Sequence, residues 1–258
     1  MPRFAANVST MFGEWPFLDR LDAAADAGFT FVECQFPYEA AADALASRLE
    51  RNGLAMAMFN TPRGDLSGGD LGFASLPGRF EDLSASVAMA EEYALALGVT
   101  RVHLLAGRAP DDDQTRPAYR RSVAWAAERF GEHGIQLLIE PVNARDNPGY
   151  FLTDFHVAEA LICELGLPNV RLQFDTYHRR ACGLGIIDGV KHLLPIIGHI
   201  QVSSPPDRGE PDAHDIAFLS RLDALGYKGV VGCEYVPRNG TMEGLAWRQR
   251  LNRDQSFP

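Results

Sequence analysis

The sequence has 258 residues, with 46% hydrophobic and 22% charged side chains and a formal net charge of −10 from 24 basic and 34 acidic residues. This composition predicts a globular protein with a sizeable core and excludes a disordered or fibrous chain. An acidic protein repels phosphate backbones, so binding to nucleic acid or to an anionic membrane is not expected. An anionic substrate would need a local cation or a metal ion to offset this field.

The N-terminal segment MPRFAANVSTMFGEW lacks the apolar run of a signal peptide, and no later stretch approaches the roughly 20 apolar residues of a membrane helix. The four cysteines have no CxxC or other close spacing and are expected to be reduced thiols. They are Cys34, Cys163, Cys182 and Cys233. These features predict a cytoplasmic protein. The sequence leaves its oligomeric state open, a homo-oligomer included.

Short apolar runs alternate with longer amphipathic segments along the chain. Near-continuous apolar runs are typical of parallel strands that are covered on both faces. The runs predict strands at 3–8, 29–34, 54–59, 101–106, 135–140, 170–175, 198–203 and 229–234. Helical patterns between them include 17–28, 39–53 and 118–134. Glycines typical of helix C-caps precede several strands. These are Gly28, Gly53, Gly98, Gly134, Gly166 and Gly226.

Eight strand–helix units, with no Pro- or Ser-rich linker between them, favour one (β/α)8 TIM barrel of the α/β class over residues 1–258. The alternative is an open, doubly wound sheet. Such a sheet usually carries a GxGxxG loop after its first strand, whereas this chain has NVSTMFGEW there. The barrel is therefore the predicted fold.

Residues 62–80, PRGDLSGGDLGFASLPGRF, form a glycine-rich segment after the third predicted strand. Two interpretations stay open, a surface loop and a lid over the mouth of the barrel, where loops of this length tend to be functional. A phosphate-binding loop is disfavoured because no lysine follows the glycines.

Oxygen-bearing side chains occur at the ends of four consecutive predicted strands, the fifth to the eighth. The active site of a TIM barrel lies at the carboxyl ends of its strands. The four residues are separated by 35, 26 and 33 residues, each about one βα repeat. They are Glu140, Asp175, Gln201 and Glu234. A single acid at a strand end is more simply a helix N-cap or part of a loop ion pair, but four in register indicate a site.

Three carboxylates at one mouth would repel one another and raise each other's pKa unless a cation lies among them. An oxygen ligand set of three carboxylates and an amide suits Mg²⁺ or Mn²⁺ rather than Zn²⁺. A metal that chelates adjacent carbonyl and hydroxyl oxygens acidifies the neighbouring C–H and stabilises an enediolate. Glu140 and Glu234, from strands separated by two others, are predicted to be the acid/base pair.

Three further residues are candidates for binding the substrate. His178, three residues after Asp175, is expected to contact a substrate oxygen or a site carboxylate, with a packed histidine as the alternative. Arg208 is expected to hold a substrate carboxylate through two parallel hydrogen bonds, with a surface ion pair as the alternative. His103 lies on the predicted fourth strand, either in the core or at the mouth. Arg179 and Arg180 form an unexpected basic pair directly after His178.

Several segments resemble the hydroxypyruvate isomerase family of xylose-isomerase-like barrels. They are FNTPRGD (59–65), RVHLLAG (101–107), EPVNARDNPGYFLTD (140–154), LQFDTYH (172–178), GHIQV (198–202) and GCEYVP (232–237). The resemblance implies an isomerase that interconverts hydroxypyruvate and tartronate semialdehyde, or 2-oxotetronate and its 3-oxo partner. It implies that Glu140 and Glu234 exchange the proton. By analogy with metal-dependent relatives, it implies that the four strand-end residues bind a divalent metal, but not that turnover requires it.

The sequence departs from the family pattern after the seventh strand, where Gly209 stands at a position at which relatives commonly have histidine. This departure affects the identity of the substrate more than the class of reaction. A ketose 3-epimerase on the same scaffold is an alternative, although that family usually has a histidine in place of Gln201. An apurinic-site endonuclease would need more histidine ligands and a basic groove. A sugar-acid-binding protein without turnover is the remaining alternative.

Overall fold

A computed structural model describes residues 2–253, so Met1 and residues 254–258 of the predicted domain lie outside the described residues. In this range the strands form one sheet in which every neighbouring pair is parallel. The strands are β1 (Arg3–Asn7), β2 (Phe31–Glu33), β3 (Ala55–Met56), β4 (Phe59–Asn60), β5 (Arg101–His103), β6 (Gln136–Ile139), β7 (Val170–Asp175), β8 (Ile197–Val202) and β9 (Val230–Cys233).

The sheet closes on itself through the third predicted strand. The strand order is β3-β2-β1-β9-β8-β7-β6-β5-β4, and the two end strands, β3 and β4, are separated in the chain only by Ala57 and Met58. The regular strand pairing is interrupted at these residues, where the distance between Cys34 N and Met58 O is 3.5 Å. The predicted strand 54–59 is therefore two short strands, and the predicted TIM barrel is confirmed.

Helices follow the strands and cover the outside of the barrel. They are α1 (Asp19–Asp26), α2 (Ala42–Arg51), α3 (Phe80–Leu97), α4 (Thr115–Gly131), α5 (Phe155–Leu165), α6 (Thr176–Ala181), α7 (Ile186–Leu193), α8 (Ala213–Leu219), α9 (Leu222–Leu225), α10 (Thr241–Gly244) and α11 (Trp247–Arg253), with a 3-10 turn at Pro37–Glu39. The predicted glycine C-caps adopt positive φ, as Gly98 and Gly166 do directly after α3 and α5. None of the helices described in residues 2–253 is long and apolar enough to cross a membrane.

The inside of the barrel combines polar side chains with a small apolar cluster of Ala5, Phe31, Ala57 and Val230, and the main apolar core lies between the sheet and the helices. On β8, His199 and Gln201 reach across the barrel to Glu33, so the alternate residues Ile200 and Val202 face the helices. All five side chains are buried. The apolar runs in the sequence are therefore interrupted at the strand positions whose polar side chains point into the barrel.

The glycine-rich segment 62–80 is irregular and packs against the loop after β5. A backbone bridge pairs Gly72 with Ala106, and Ala106 O also accepts a hydrogen bond from Ser75 N at 2.7 Å. The side chain of Arg108 donates to Gly69 O at 2.8 Å. Leu66 and Leu71 line the cavity at the barrel mouth. The segment therefore forms part of the cavity wall. Its action as a lid stays a prediction, and we call residues 62–80 the lid.

Candidate active site

A cavity of about 270 Å³ lies at the carboxyl ends of the strands. Five of the seven predicted site residues line it: His103, Glu140, His178, Arg208 and Glu234. The two others are buried next to it. Asp175 contacts Arg208 and lies 3.7 Å from His178, and Gln201 accepts a hydrogen bond from Gln173, which itself lines the cavity.

Glu140 follows β6 and is the carboxylate with the fewest stabilising contacts. Its Oε1 is buried and has no hydrogen-bond partner within residues 2–253. Burial raises the pKa of Glu140 well above its usual range, and the nearby charges of Asp175 and Glu234 raise it further. Glu140 therefore holds a proton readily and is suited to donate it.

Glu234 follows β9 and is held on both oxygens. Its Oε1 accepts from Gln35 Nε2 and its Oε2 from Arg208 Nη2, each at 2.8 Å. Burial raises the pKa of Glu234 to about 7, although the Arg208 guanidinium opposes the shift. A carboxyl group with this pKa changes its charge near neutral pH, which suits an acid/base residue.

Asp175 ends β7 and has two functions at once. One oxygen, Oδ1, accepts a hydrogen bond from Tyr177 N at 2.7 Å and caps α6. The other, Oδ2, contacts Arg208 and faces His178. Burial alone would raise the pKa of Asp175, but the charge of Arg208, with smaller contributions from His178 and the Tyr177 amide, holds it below its usual range. Asp175 is therefore both a cap and a site carboxylate.

Arg208 brings a positive charge between two of the carboxylates. The Nη2 atom binds both Asp175 and Glu234, while the guanidinium stacks over the Tyr177 ring at 4.8 Å. The backbone of Arg208 has φ 54° and lies in a tight turn that a bridge between Ser204 and Gly209 closes. Without this cation, the two buried carboxylates would repel each other strongly.

Gln201 is oriented by a buried network that the sequence analysis did not identify. Glu33 Oε1 accepts from Gln201 Nε2 at 2.7 Å, and Gln173 Nε2 donates to Gln201 Oε1 at 2.7 Å. His199 Nε2 and Asn7 Nδ2 also bind Glu33, at 2.7 and 3.0 Å. These contacts direct the Gln201 carbonyl oxygen toward Gln173, which lines the cavity.

His178 is a neutral hydrogen-bond donor toward the carboxylates. Asn143 N donates to Nδ1 at 3.1 Å, so Nδ1 is an acceptor and the proton is on Nε2. Nε2 lies 3.7 Å from Asp175 Oδ2 and 3.9 Å from Glu140 Oε1. Burial lowers the pKa of His178 to about 4, although Asp175 opposes the shift. An oxygen that develops negative charge in the cavity could accept this proton's hydrogen bond.

His103 lies on β5 at the cavity wall, so both expectations for it apply in part: it is buried and it faces the mouth. Its Nδ1 is 3.1 Å from Asn60 Oδ1 and 3.5 Å from Glu140 Oε2. Burial lowers the pKa of His103 to about 3, with a smaller contribution from His178. Burial therefore favours the neutral form of His103, which contacts Glu140, the predicted acid/base residue.

The buried neutral histidines predict how stability changes in mild acid. Between pH 6.5 and about 4 the unfolded chain binds a proton at residue 178 that the folded protein does not, so His178 costs stability as the pH falls. The raised pKa values of Glu140 and Glu234 have the opposite effect, because they make the folded protein more stable as the pH falls. The contribution of His178 is therefore measured as the difference in Tm between the variant and the wild type. We expect the Tm of His178→Gln, relative to wild type, to rise as the pH falls through this window.

Thermal unfolding in EDTA at about pH 7 and pH 5 measures this difference. His156→Gln is a matched control because that side chain is 83% exposed and remote from the cavity. The same Tm difference between His178→Gln and wild type at both pH values would contradict a neutral buried His178.

Several further cavity residues come from the first half of the barrel, where only His103 was predicted as a site residue. They are Gln35, Phe36, Asn60, Arg63 and Arg108. A signal was present at the end of the second predicted strand, where Glu33 and Gln35 alternate in FVECQ. That alternation is typical of polar groups that point to one face of a strand.

The family model described as "Xylose isomerase-like TIM barrel" matches residues 21–251 of the chain. The protein belongs to this family. The chain is 44% identical to a 2-oxo-tetronate isomerase of Cupriavidus necator, over 96% of this chain and 97% of that one. It is 37% identical to the hydroxypyruvate isomerase of Escherichia coli, over 96% and 98% of the two chains. These matches confirm the resemblance to the hydroxypyruvate isomerase family.

Solved structures confirm the fold. One, titled AP endonuclease, family 2, from Brucella melitensis, has a TM-score of 0.93 at 39% identity, over 97% of this chain and 99% of that chain. An L-ribulose 3-epimerase has a TM-score of 0.75 at 21% identity, over 97% and 86% of the two chains. The second likeness concerns the xylose isomerase-like barrel alone.

Proposed function

We propose that the protein is a cytoplasmic aldose–ketose isomerase of carbohydrate metabolism that acts on a small hydroxy-oxo acid. The reaction type is hydroxypyruvate to tartronate semialdehyde through an enediolate. The observation that carries the proposal is the pair of buried glutamates, Glu140 and Glu234, that line one cavity and both have raised pKa values. The names of the relatives at 37–44% identity support the same class of reaction.

The two glutamates differ in their distance from a cation, and this difference assigns one to proton removal and the other to proton delivery. Glu234 contacts the Arg208 cation, whereas Glu140 has no cation of its own, so Glu234 loses its proton first. In this mechanism Glu234 removes the proton from the hydroxyl-bearing carbon, the hydroxyl proton passes to the former carbonyl oxygen, and Glu140 delivers a proton to the neighbouring carbon. His178 Nε2–H stabilises the oxygen on which negative charge develops. The lid excludes water while the enediolate exists.

The residues of the site fit a divalent cation such as Mg²⁺ or Mn²⁺. The buried Glu140 Oε1 lacks a partner within the described range, and ligand atoms of Glu140, Asp175 and His178 all lie within 4.8 Å of one another. Glu140, Asp175, Gln201 and Glu234 would hold the ion, with His178 beside it. When bound, the ion would polarise the carbonyl and hydroxyl oxygens of the substrate. Arg208 supplies the positive charge between Asp175 and Glu234 in this structure.

A 2-oxo-tetronate isomerase is the second candidate, because a relative of that name is 44% identical. It uses the same chemistry on a substrate that is longer by one carbon. A nuclease is disfavoured by the net charge of −10, because a phosphate backbone would be repelled.

NMR of hydroxypyruvate and of 2-oxotetronate in D2O with the enzyme tests the proposal. An isomerase moves the carbonyl group and leaves deuterium on the carbon that was the ketone. A ketose 3-epimerase leaves the carbonyl group in place and puts deuterium on the adjacent hydroxyl-bearing carbon. An unchanged spectrum for both acids, with and without added Mn²⁺, would contradict an enzyme of this class.

A further inference from the structure

The inside of the candidate site is strongly acidic, so a substrate carboxylate needs a cation that the site's own carboxylates do not already neutralise. Three arginines line the cavity: Arg63, Arg108 and Arg208. Arg179 and Arg180 do not: Arg179 packs over the Phe155 and Phe174 rings, and Arg180 binds Asp212 and Asp215. The choice therefore lies among the three arginines of the cavity wall.

Two of these three guanidinium groups already bind other groups of the protein. Arg208 binds Asp175 and Glu234, so a substrate carboxylate at this guanidinium would lie beside two other carboxylates and be repelled by them. Arg108 donates to Gly69 O at 2.8 Å and holds the lid in place. Arg208 therefore shares its charge with two carboxylates, and one N–H of Arg108 is already bound by the backbone of the lid.

Among the three, Arg63 is the arginine whose guanidinium has neither a hydrogen bond nor an ion pair within residues 2–253. Its guanidinium stacks over the Phe36 ring at 4.7 Å. Stacking uses the flat face of a guanidinium and leaves its N–H edge free, and that edge matches the two oxygens of a carboxylate. Phe36 also lines the cavity, so the stacked group lies at the mouth.

The backbone of the lid holds Arg63 in this place. Arg63 O accepts a hydrogen bond from Gly72 N at 2.9 Å, and Gly72 is bridged to Ala106. The next residue, Gly64, has φ +83°, and a Cβ there would lie 2.4 Å from the Phe73 ring. Only glycine fits this turn. The backbone at Arg63 is therefore defined by this turn and by its hydrogen bond to Gly72.

We propose that Arg63 is the residue that binds the carboxylate of the substrate at the lid and thereby selects hydroxy-oxo acids over neutral hydroxy-ketones. This inference rests on the proposed function. It leaves Arg208 to contact the oxygens at the reacting carbons, next to Asp175 and Glu234. The substrate then spans the cavity from the lid to the two glutamates.

The kinetic test compares an acid with a neutral ketone. In Arg63→Ala, kcat/KM for hydroxypyruvate should fall about 10- to 150-fold, mainly through KM, because a charge-assisted hydrogen bond is lost. The value for dihydroxyacetone should stay within about 2-fold. Arg63→Lys should recover part of the loss, because an ammonium keeps the charge but not the two-bond geometry. Arg116→Ala is the control, since Arg116 is an exposed arginine paired with Asp111 outside the cavity.

A binding measurement separates this inference from the proposed isomerase activity. Calorimetry with glycerate and with its neutral amide, glyceramide, requires no turnover. We expect wild type to prefer glycerate and Arg63→Ala to lose that preference. Equal losses on acid and neutral ligands, or wild-type affinity for glycerate in Arg63→Ala, would overturn the role of Arg63 even in an active isomerase. If wild type turns over no acid but Arg63→Ala still loses glycerate selectively, the isomerase proposal fails and the carboxylate site stands.

Discussion

Glu140→Gln and Glu234→Gln should each lower kcat about 10²-fold or more, the usual scale of a general acid–base contribution. Glutamine keeps the size of the side chain but cannot exchange a proton. The fold should survive, because burial makes the charged form of both carboxyls unfavourable in the folded protein. Glu164→Gln is a matched control, since that carboxylate is 58% exposed and pairs with Arg120 outside the cavity.

The two variants should differ in D2O. If Glu234 removes the proton, Glu234→Gln should stop both isomerisation and the exchange of the substrate C–H with solvent. Glu140→Gln should retain more exchange than isomerisation, because the proton can still leave but is not delivered to the neighbouring carbon. The opposite pattern would reverse the two assignments. Turnover close to wild type in either variant would remove that residue from the mechanism.

Arg208→Ala should lower the free energy of unfolding in EDTA by about 2–4 kcal/mol, because it leaves buried carboxylates without their cation. Protonation of Glu234, whose pKa would rise further, limits the loss. Arg238→Ala is the matched control. Arg238 pairs with Asp207 and Glu210 near the same loop but is 56% exposed, and exposed pairs contribute about 0–1 kcal/mol. Urea unfolding measures both variants.

Mn²⁺ should restore much of the stability of Arg208→Ala, because a divalent ion among the predicted ligands replaces the lost charge. In a crystal of this variant soaked in Mn²⁺, the anomalous peak should lie among Glu140, Asp175, Gln201 and Glu234. An equal Mn²⁺ effect on Arg208→Ala and on Arg208→Ala combined with Asp175→Asn would contradict binding at this site. Equal losses in Arg208→Ala and Arg238→Ala would contradict the role of Arg208 as the buried counter-ion.

The second half of the barrel was more predictable than the first. Glu140, Asp175 and Glu234 end or follow apolar runs at regular spacing, so their place at the strand ends follows from the barrel. On the second strand, a shift of one residue decides whether Glu33 or Cys34 faces the interior, and the sequence alone does not fix that register.

Contacts between distant segments were not predictable. Arg63 is close to the site only because the lid folds back onto the loop after β5, through the Gly72–Ala106 bridge. The pairing of Arg208 with Asp175 and Glu234 likewise depends on the turn at Ser204–Gly209. A sequence places residues on elements, but the path of an irregular loop depends on packing that forms only in the folded chain.

The hydrogen bond by which Asp175 caps α6 joins part of the site to the main chain. The carboxylate ends β7 and starts α6, and His178 lies on the first turn of that helix. Strand, carboxylate and imidazole are therefore positioned by one continuous stretch of main chain, and their hydrogen bonds leave little side-chain entropy to be lost when a substrate binds. The double use of the Asp175 side chain also constrains evolution at this position. A substitution at position 175 alters helix stability and site charge together, so neither property can drift without the other.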